Sequence, residues 1–297
     1  MTQVLFKRIL FATDFSPASL AALPYAAAIA RHFSSKLFLA HVIPPEAYTS
    51  IPVNERDLAL KNVRAHAEAQ MTGLRAKSVL TGIPHEVLVD HGETWPILSA
   101  MAEKRDVDLI VAGTHGRRGI EKLLLGSTAE EILRCARMAV LMVGPETSVA
   151  PKRETRPRSI LYATDFSPAS EPAMHYACAL AREYGTTLYF LHVAEDVWKE
   201  PLSTRMQAAD FCRIRLQESH WVLEEGCAPE FHVDFGPTAE RILEAAEKLH
   251  AELLVLGVRG AHHPRVAAHL PGPAAYDVVS QARCPVLVVR GGPPLDK

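Results

Sequence analysis

Long apolar runs are missing from this chain: none approaches the ~20 residues that a membrane-spanning helix requires. Cysteine is scarce, five in 297 residues, odd in number and without a C-x-x-C pair (Cys135, Cys178, Cys212, Cys227, Cys284). That excludes a disulfide framework and suits buried or incidental thiols in a reducing compartment. An excess of one charge is lacking too. The formal net charge of −2 gives no general drive toward nucleic acid or anionic membranes. The local cluster Lys152, Arg153, Arg156 and Arg158 reads as a solvated linker instead of a polyanion site. Residues 1–7 run straight into a strand-like segment with no secretion signal. A soluble, cytoplasmic protein is expected, with neither nucleic acid nor membrane as a partner.

What the chain does have is a repeat. Residues 12–19 read Ala-Thr-Asp-Phe-Ser-Pro-Ala-Ser, and residues 163–170 repeat that octet unchanged, at an offset of 151 (Asp165 minus Asp14). The register persists from Lys36–Val42 to Thr187–Val193, and returns at an offset of 144 for Asp108–Gly113 and Glu252–Gly257. Ala139–Val143 is echoed by Pro285–Val289. Such a period is far too long for a solenoid, so the chain is a duplicated domain. Residues 1–146 and 157–292 are the expected domains, joined by a linker rich in Pro, Arg, Lys and Ser/Thr. With 48% hydrophobic content each has enough apolar residues for an ordinary core of roughly 140 residues.

Each half alternates short β-branched runs with helical periods. In the first half the strands read as Arg8–Thr13, Lys36–Val42, His85–Asp90, Leu109–Gly113 and Val140–Val143. Helices are expected near Ser19–Phe33, Asn54–Lys77, Thr94–Arg105 and Ser127–Arg137. Strands separated by helices imply right-handed crossovers and a parallel sheet covered on both faces. The fold class is therefore α/β: two tandem doubly wound, Rossmann-like domains, each with a five-stranded parallel sheet of order 3-2-1-4-5. Pro24 conflicts with an unbroken first helix, and belongs in the first turn of a restarted helix or at a kink. In such sheets ligands bind past the carboxyl ends of the strands where the winding reverses, here between strands 1 and 4. Asp14 ends the first of these strands and Gly113 the second.

The segment after strand 4, Gly113-Thr-His-Gly-Arg-Arg-Gly and on to Gly126-Ser127-Thr128, has the properties of an anion site. Gly113 and Gly116 permit positive φ and close backbone approach. Gly126-Ser127-Thr128 opens a helix whose N–H groups and dipole face the crevice. Ser127 with Glu130 fits a capping box, and His115 and Arg117 are placed to reach outer phosphates. A flexible loop before a well-capped helix is the plainer reading. Asp14 is either a ligand for ribose or a cation, or the N-cap of the next helix, a role Ser16 and Ser19 also offer.

The spacing Gly113-x2-Gly116-x9-Gly126-Ser127, with the opening Ile9-Leu10-Phe11-Ala12-Thr13-Asp14-Phe15-Ser16, resembles the ATP-binding branch of the universal stress protein family. The resemblance spans nearly the whole chain as two consecutive domains. It implies that Ala12, Thr13 and Asp14 contact the nucleoside end, Asp14 near the ribose or metal, and that Val42 holds adenine through its backbone. It also implies a phosphate cradle of Gly113, His115, Gly116, Gly126, Ser127 and Thr128, with Mg²⁺ among the phosphates. By the same resemblance the halves pack about a pseudo-twofold axis through their fifth strands. Two such chains are then expected to form a homodimer.

The second half departs from the pattern. Asp165, Val193, Gly257 and Gly260 remain as candidates for a nucleoside pocket. After nine intervening residues, Gly260 is followed by Leu270-Pro271, and the nearest glycine, Gly272, is followed by Pro273. Proline lacks the N–H a phosphate needs, and the hydroxyls are gone. Two lost hydrogen bonds to a charged group, ~1.5–3 kcal/mol each, weaken triphosphate binding by roughly two to four orders of magnitude. His262, His263 and His269 suggest zinc, but no Cys or carboxylate has ligand spacing nearby, so an exposed loop is expected. The P-loop, protein-kinase and G-x-G-x-x-G signatures are absent. The expected function is ATP-dependent regulation in a stress response, with ATP in the first half and the second empty or altered. Slow ATP hydrolysis or phosphoryl transfer is the enzyme alternative, and a nucleotide-free interaction protein the third.

Overall fold

The computed structural model describes residues 6–115, 125–145, 147, 156–218, 228–259 and 273–291. The chain divides into two compact units, residues 5–132 with 150–155, and residues 1–4, 133–149 and 156–297.

In the first unit β1 (Arg8–Ala12) lies between β2 (Lys36–Ile43) and β4 (Leu109–Gly113), and β3 (His85–His91) flanks β2. All these pairings are parallel, and the order is β3-β2-β1-β4. Ile9, Leu10, Phe11, Leu37, Leu39 and Leu109–Val111 are buried, as a sheet covered on both faces requires. The expected first helix is broken in two. Helix α1 (Pro17–Leu20) ends at Ala21, and α2 (Leu23–His32) restarts with Pro24 in its first turn, where no N–H is needed. A short α3 (Glu46–Thr49) precedes α4 (Arg56–Arg75), which buries Ala67, Met71 and Leu74 at spacings of one turn. Then come α5 (Thr94–Lys104) and α6 (Ser127–Cys135), the last crossing into the second unit.

The second unit holds β5 (Ala139–Val143), β6 (Ser159–Thr164), β7 (Thr187–Val193), β8 (Glu230–Asp234), β9 (Leu253–Arg259) and β10 (Val286–Gly291). Their order is β5-β10-β9-β6-β7-β8. Counted within the second repeat this is 3-2-1-4-5 read from the β8 end. Helices α7 (Glu171–Tyr184), α8 (Leu202–Gln217), α9 (Thr238–Lys248) and α10 (Pro273–Gln281) complete the unit. Where the first repeat has Pro24, the second has His175, and α7 runs unbroken to Gly185 in the left-handed conformation.

Two features go beyond the sequence-based expectation. First, β5 packs with the second unit, because its edge pairs antiparallel with β10, Leu141 opposite Leu287. The compact division therefore falls after Ile132, within α6. Second, β9 is two residues longer than β4, and β10 follows it to the Arg259–Gly291 pair.

Gly113 owes its identity to packing. A Cβ there would stand 2.8 Å from the Ala18 carbonyl oxygen and 2.9 Å from Ser19 Cα, both main chain of α1. Gly73, inside α4, has nothing within 4 Å of such a Cβ. Gly113→Ala is expected to cost about 1–3 kcal/mol of stability. Gly73→Ala should instead add about 0.5–1 kcal/mol. Urea denaturation of both variants checks the contrast, which fails if the two shift the midpoint in the same direction.

Candidate functional site

The site begins where β1 turns. Thr13 N–H still donates to the Ala40 carbonyl at 3.0 Å, the last bond from β1 to β2. The chain then reverses through Phe15, held left-handed at φ 64°, a conformation that costs a bulky residue and needs support. Thr13 Oγ1 accepts from Phe15 N–H at 2.9 Å, and Asp14 Oδ1 accepts from Ser16 N–H at 3.0 Å. Ser19 Oγ donates to the Ser16 carbonyl at 3.1 Å, so in the 2.9 Å contact between hydroxyls Thr13 is the donor. The N-cap of α1 is Ser16, whose Oγ accepts from Ser19 N–H at 3.1 Å. Asp14 is thus not the cap, and one of its carboxylate oxygens closes the turn.

His41 supports the reversal from β2. Its Nδ1 donates to the Thr13 carbonyl at 2.8 Å, which leaves Nε2 as acceptor in the neutral ring, and the ring lies 4.4 Å from that of Phe15. Strand alternation places the Val42 backbone. Ala40 directs its carbonyl to Thr13, and Ile43 directs its own to Gly92 N–H at 3.0 Å. Val42 N–H and C=O therefore point to the β1 side, one step past the last bond to β1. That is the placement a hydrogen-bonding purine edge would need.

At the end of β4, Thr114 and His115 leave the sheet and are buried. The Thr114 carbonyl accepts from Gly126 N–H at 2.9 Å, which ties the start of α6 to the end of β4. The Gly126 carbonyl accepts from Glu130 N–H at 2.9 Å, so the N–H groups of Ser127, Thr128 and Ala129 precede the first intrahelical bond. Gly126 is the N-cap residue and Ser127 the first helical one. A capping box between Ser127 and Glu130 needs Ser127 one position earlier, so that expectation is corrected. Burial lowers the His115 pKa below the ordinary histidine value, so the ring is neutral at neutral pH. Its Nδ1 meets Thr114 Oγ1 at 2.8 Å, while its buried Nε2 has no hydrogen-bond partner among the described residues.

Ala12, Thr13, Asp14, Val42, Gly113, His115, Gly126, Ser127 and Thr128 thus sit at the ends of β1, β2 and β4 and the start of α6, within one unit. Gly116, Arg117, Gly260 and the histidines 262, 263 and 269 lie outside the described residues. Gly113 does not use the positive φ that glycine permits, and the close backbone approach is what it supplies. Among the described residues no cluster of three or more His, Cys, Asp or Glu could hold a metal.

The second repeat builds the same reversal. Phe166 has φ 58°, Thr164 Oγ1 accepts its N–H at 3.0 Å, and Asp165 Oδ1 accepts from Ser167 N–H at 2.9 Å. His192 Nδ1 donates to the Thr164 carbonyl at 2.8 Å and stacks at 4.3 Å on Phe166. Burial works to raise the Asp165 pKa, but hydrogen bonds from Ser167 outweigh it and hold it below the usual value. Beyond Gly257 the copies part: β9 continues through Val258 and Arg259 where Thr114 and His115 turn away. Helix α10 begins at Pro273, so Pro273 and Ala274 stand where α6 has Ser127 and Thr128. The count that set Leu270-Pro271 opposite Gly126-Ser127 was short by two residues, the extra length of β9.

The sequence profile of the universal stress protein family matches residues 5–144 and again residues 157–290. The chain belongs to the universal stress protein family. A universal stress protein of Methanocaldococcus jannaschii is 32% identical over 151 residues, 47% of this chain and 82% of that one. A universal stress protein A homologue of Coxiella burnetii is 37% identical over 150 residues, 46% of this chain and 96% of its own. The crystal structure of a universal stress protein from Archaeoglobus fulgidus covers 97% of this chain and 99% of its own with a TM-score of 0.72. At 22% identity it shows the fold alone, two universal stress protein domains in tandem.

Reading the residues for ligand contacts missed the support beneath them: His41, Phe15 and Ser19, with His192, Phe166 and Ser170 as their copies. The signal was available, since His41 and His192 fall at the same register after identical octets. The His192 pKa is lowered, first by burial, and Arg215 adds to that, while the bond to Thr164 and the Asp165 charge oppose it. A histidine held neutral in the folded state takes up a proton more readily when unfolded. Stability is therefore expected to fall as pH drops below about 6.5. His192→Asn, whose amide can still donate to Thr164, should flatten that fall in thermal unfolding between pH 7 and about 5.5. An unchanged slope would remove His192 as its source.

Proposed function

We propose that the first repeat binds ATP in the crevice between β1 and β4, and that the chain acts as a nucleotide-dependent regulator in a stress response, not as a turnover enzyme. The observation that carries this reading is the start of α6. It is tied to Thr114 by Gly126 N–H, with three N–H donors ahead of the first helical bond, beside a buried His115 whose Nε2 has no partner among the described residues. Helix N-termini attract phosphate through these donors and the macrodipole. Ser127 and Thr128 add hydroxyls, the Val42 backbone would receive adenine, and Ala12, Thr13 and Asp14 would line the nucleoside end. Gly113 lets α1 close against β4 and so shapes the crevice wall. Gly116 and Arg117 continue the phosphate loop in sequence. Mg²⁺ would accompany the phosphates and neutralise part of their charge, with Asp14 the carboxylate placed to share it.

The second repeat retains Asp165, Val193 and Gly257, and Gly260 in sequence, which is enough for a nucleoside contact. It does not retain the phosphate grip. Pro273 removes a donor, Ala274 removes a hydroxyl, and the β9–β10 ladder occupies the path that the first repeat gives to Thr114 and His115. ATP in the first repeat alone is the consequence. Regulation would then follow ligand-dependent conformation, in a chain working in the cytoplasm.

Mass spectrometry of protein purified without added nucleotide should release about one ATP per chain. Ser127→Pro with Thr128→Ala, which writes the second repeat's residues into the first, should weaken ATP binding by roughly two to four orders of magnitude. Phosphate release faster than ~1 s⁻¹ would favour the enzyme reading instead. Absence of any adenine nucleotide, together with no binding on titration, would sink the proposal.

A further inference from the structure

Helix α6 has nine residues, about two and a half turns, and helices this short have little stability of their own. Its leading N–H groups keep one direction only if both ends of the helix are fixed. The start is tied by Gly126 N–H to the Thr114 carbonyl. At the other end, the Leu133 carbonyl is among the last four of the helix, which no N–H within it can reach. The guanidinium of Arg290, from β10, donates to that carbonyl, and both residues belong to the second unit. The cation also stands at the negative end of the helix dipole. Burial lowers the Arg290 pKa while the nearby Cys135 opposes this, but a guanidinium stays charged at neutral pH and needs such an acceptor.

The second repeat holds this arginine on a rigid element. Arg290 pairs with Val258, in the stretch by which the β9–β10 ladder outlasts β4. A side chain rooted in a strand keeps its partner more firmly than one on a loop. The duplication supplies a comparison. Helix α10 matches α6 at an offset of 146 residues (Pro273 minus Ser127), which sets Val279 opposite Leu133 and Gly144 opposite Arg290. Glycine has no side chain to bring to a helix end. The fold thus closes α10 without an arginine, and closing a helix is not what requires one at α6. The helix held by the cation is the one that opens with Ser127-Thr128. Its copy, which opens with Pro273-Ala274, goes without.

We propose that Arg290, a residue of the second repeat, is a positioning residue for the phosphate site of the first: by holding the far end of α6 it keeps the N–H groups of Ser127, Thr128 and Ala129 in place for a phosphate. The inference rests on the ATP reading above and adds the residue through which the second repeat supports that site. Calorimetric titration of nucleotide-free protein with ATP and with adenosine tests it. Arg290→Met keeps the apolar stem and removes the donors, so ATP should bind about tenfold more weakly. Adenosine should stay within about twofold, because the nucleoside end rests on β1 and β2. Arg290→Lys, which restores a cationic donor, should bring ATP back to within about threefold of the wild type. A merely structural role would weaken both ligands alike. Hydrogen exchange on the wild type is a second measurement that needs no variant: saturating ATP should slow the amides of 127–136 through the last turn of α6. A wild type that binds no ATP brings down the proposed function and this inference with it. If the wild type binds ATP and Arg290→Met binds it as tightly, or loses adenosine equally, this inference alone falls. Protection confined to the first turn of α6 overturns it too.

Discussion

The hydroxyl of Thr13 holds together the reversal on which each domain's crevice depends. It accepts from Phe15 N–H and donates to Ser19, and so fastens the end of β1 to the first turn of α1 beneath a left-handed phenylalanine. Because that turn is pinned, α1 lies close enough to β4 to leave no room for a Cβ at Gly113. The second repeat repeats the arrangement with Thr164, Ser170 and Gly257, down to the histidine that props the turn from the neighbouring strand. Strain at Phe15 and Phe166 persists because hydrogen bonds on both sides over-determine it.

Around this shared support the two repeats differ in structure. In the first, the sheet gives way after Gly113, and Thr114 receives the start of α6. In the second, β9 and β10 stay paired two residues longer, and Gly291 settles onto Ala169, where a Cβ would come within 2.5 Å of its Cα. A backbone engaged in a ladder cannot also turn its amides toward a ligand. The replacement of Ser127 and Thr128 by Pro273 and Ala274 thus goes together with the extension of the sheet.

Much of this was legible in the residues. The octet repeat showed the duplication, the alternation of strand and helix showed the doubly wound class, and Pro24 marked where a helix must restart. Positions at strand ends were located from topology alone, because the carboxyl ends of parallel strands converge at the switch point. The supporting layer was less visible. His41 reads as one more strand residue until the fold sets its ring on Phe15. Gly113 reads as a flexible loop residue until α1 is seen against it. The capping role shifted from Asp14 to Ser16 because the left-handed Phe15 delays the helix by two residues, which no propensity scale anticipates.

By itself the sequence determined the repeat, the fold class, the family and the chemistry lost at the second helix start, since these depend on residue identity and on spacing along one chain. Only the tertiary structure decided that β5 joins the second unit, that β9 outruns β4, and that Cys212 and Leu216 of α8 are buried while Leu202, Met206, Phe211 and Ile214 are exposed. Those outcomes depend on which strand edge finds a partner and which helix face meets the sheet. Both are settled by contacts between segments far apart in sequence, where local pattern carries no information.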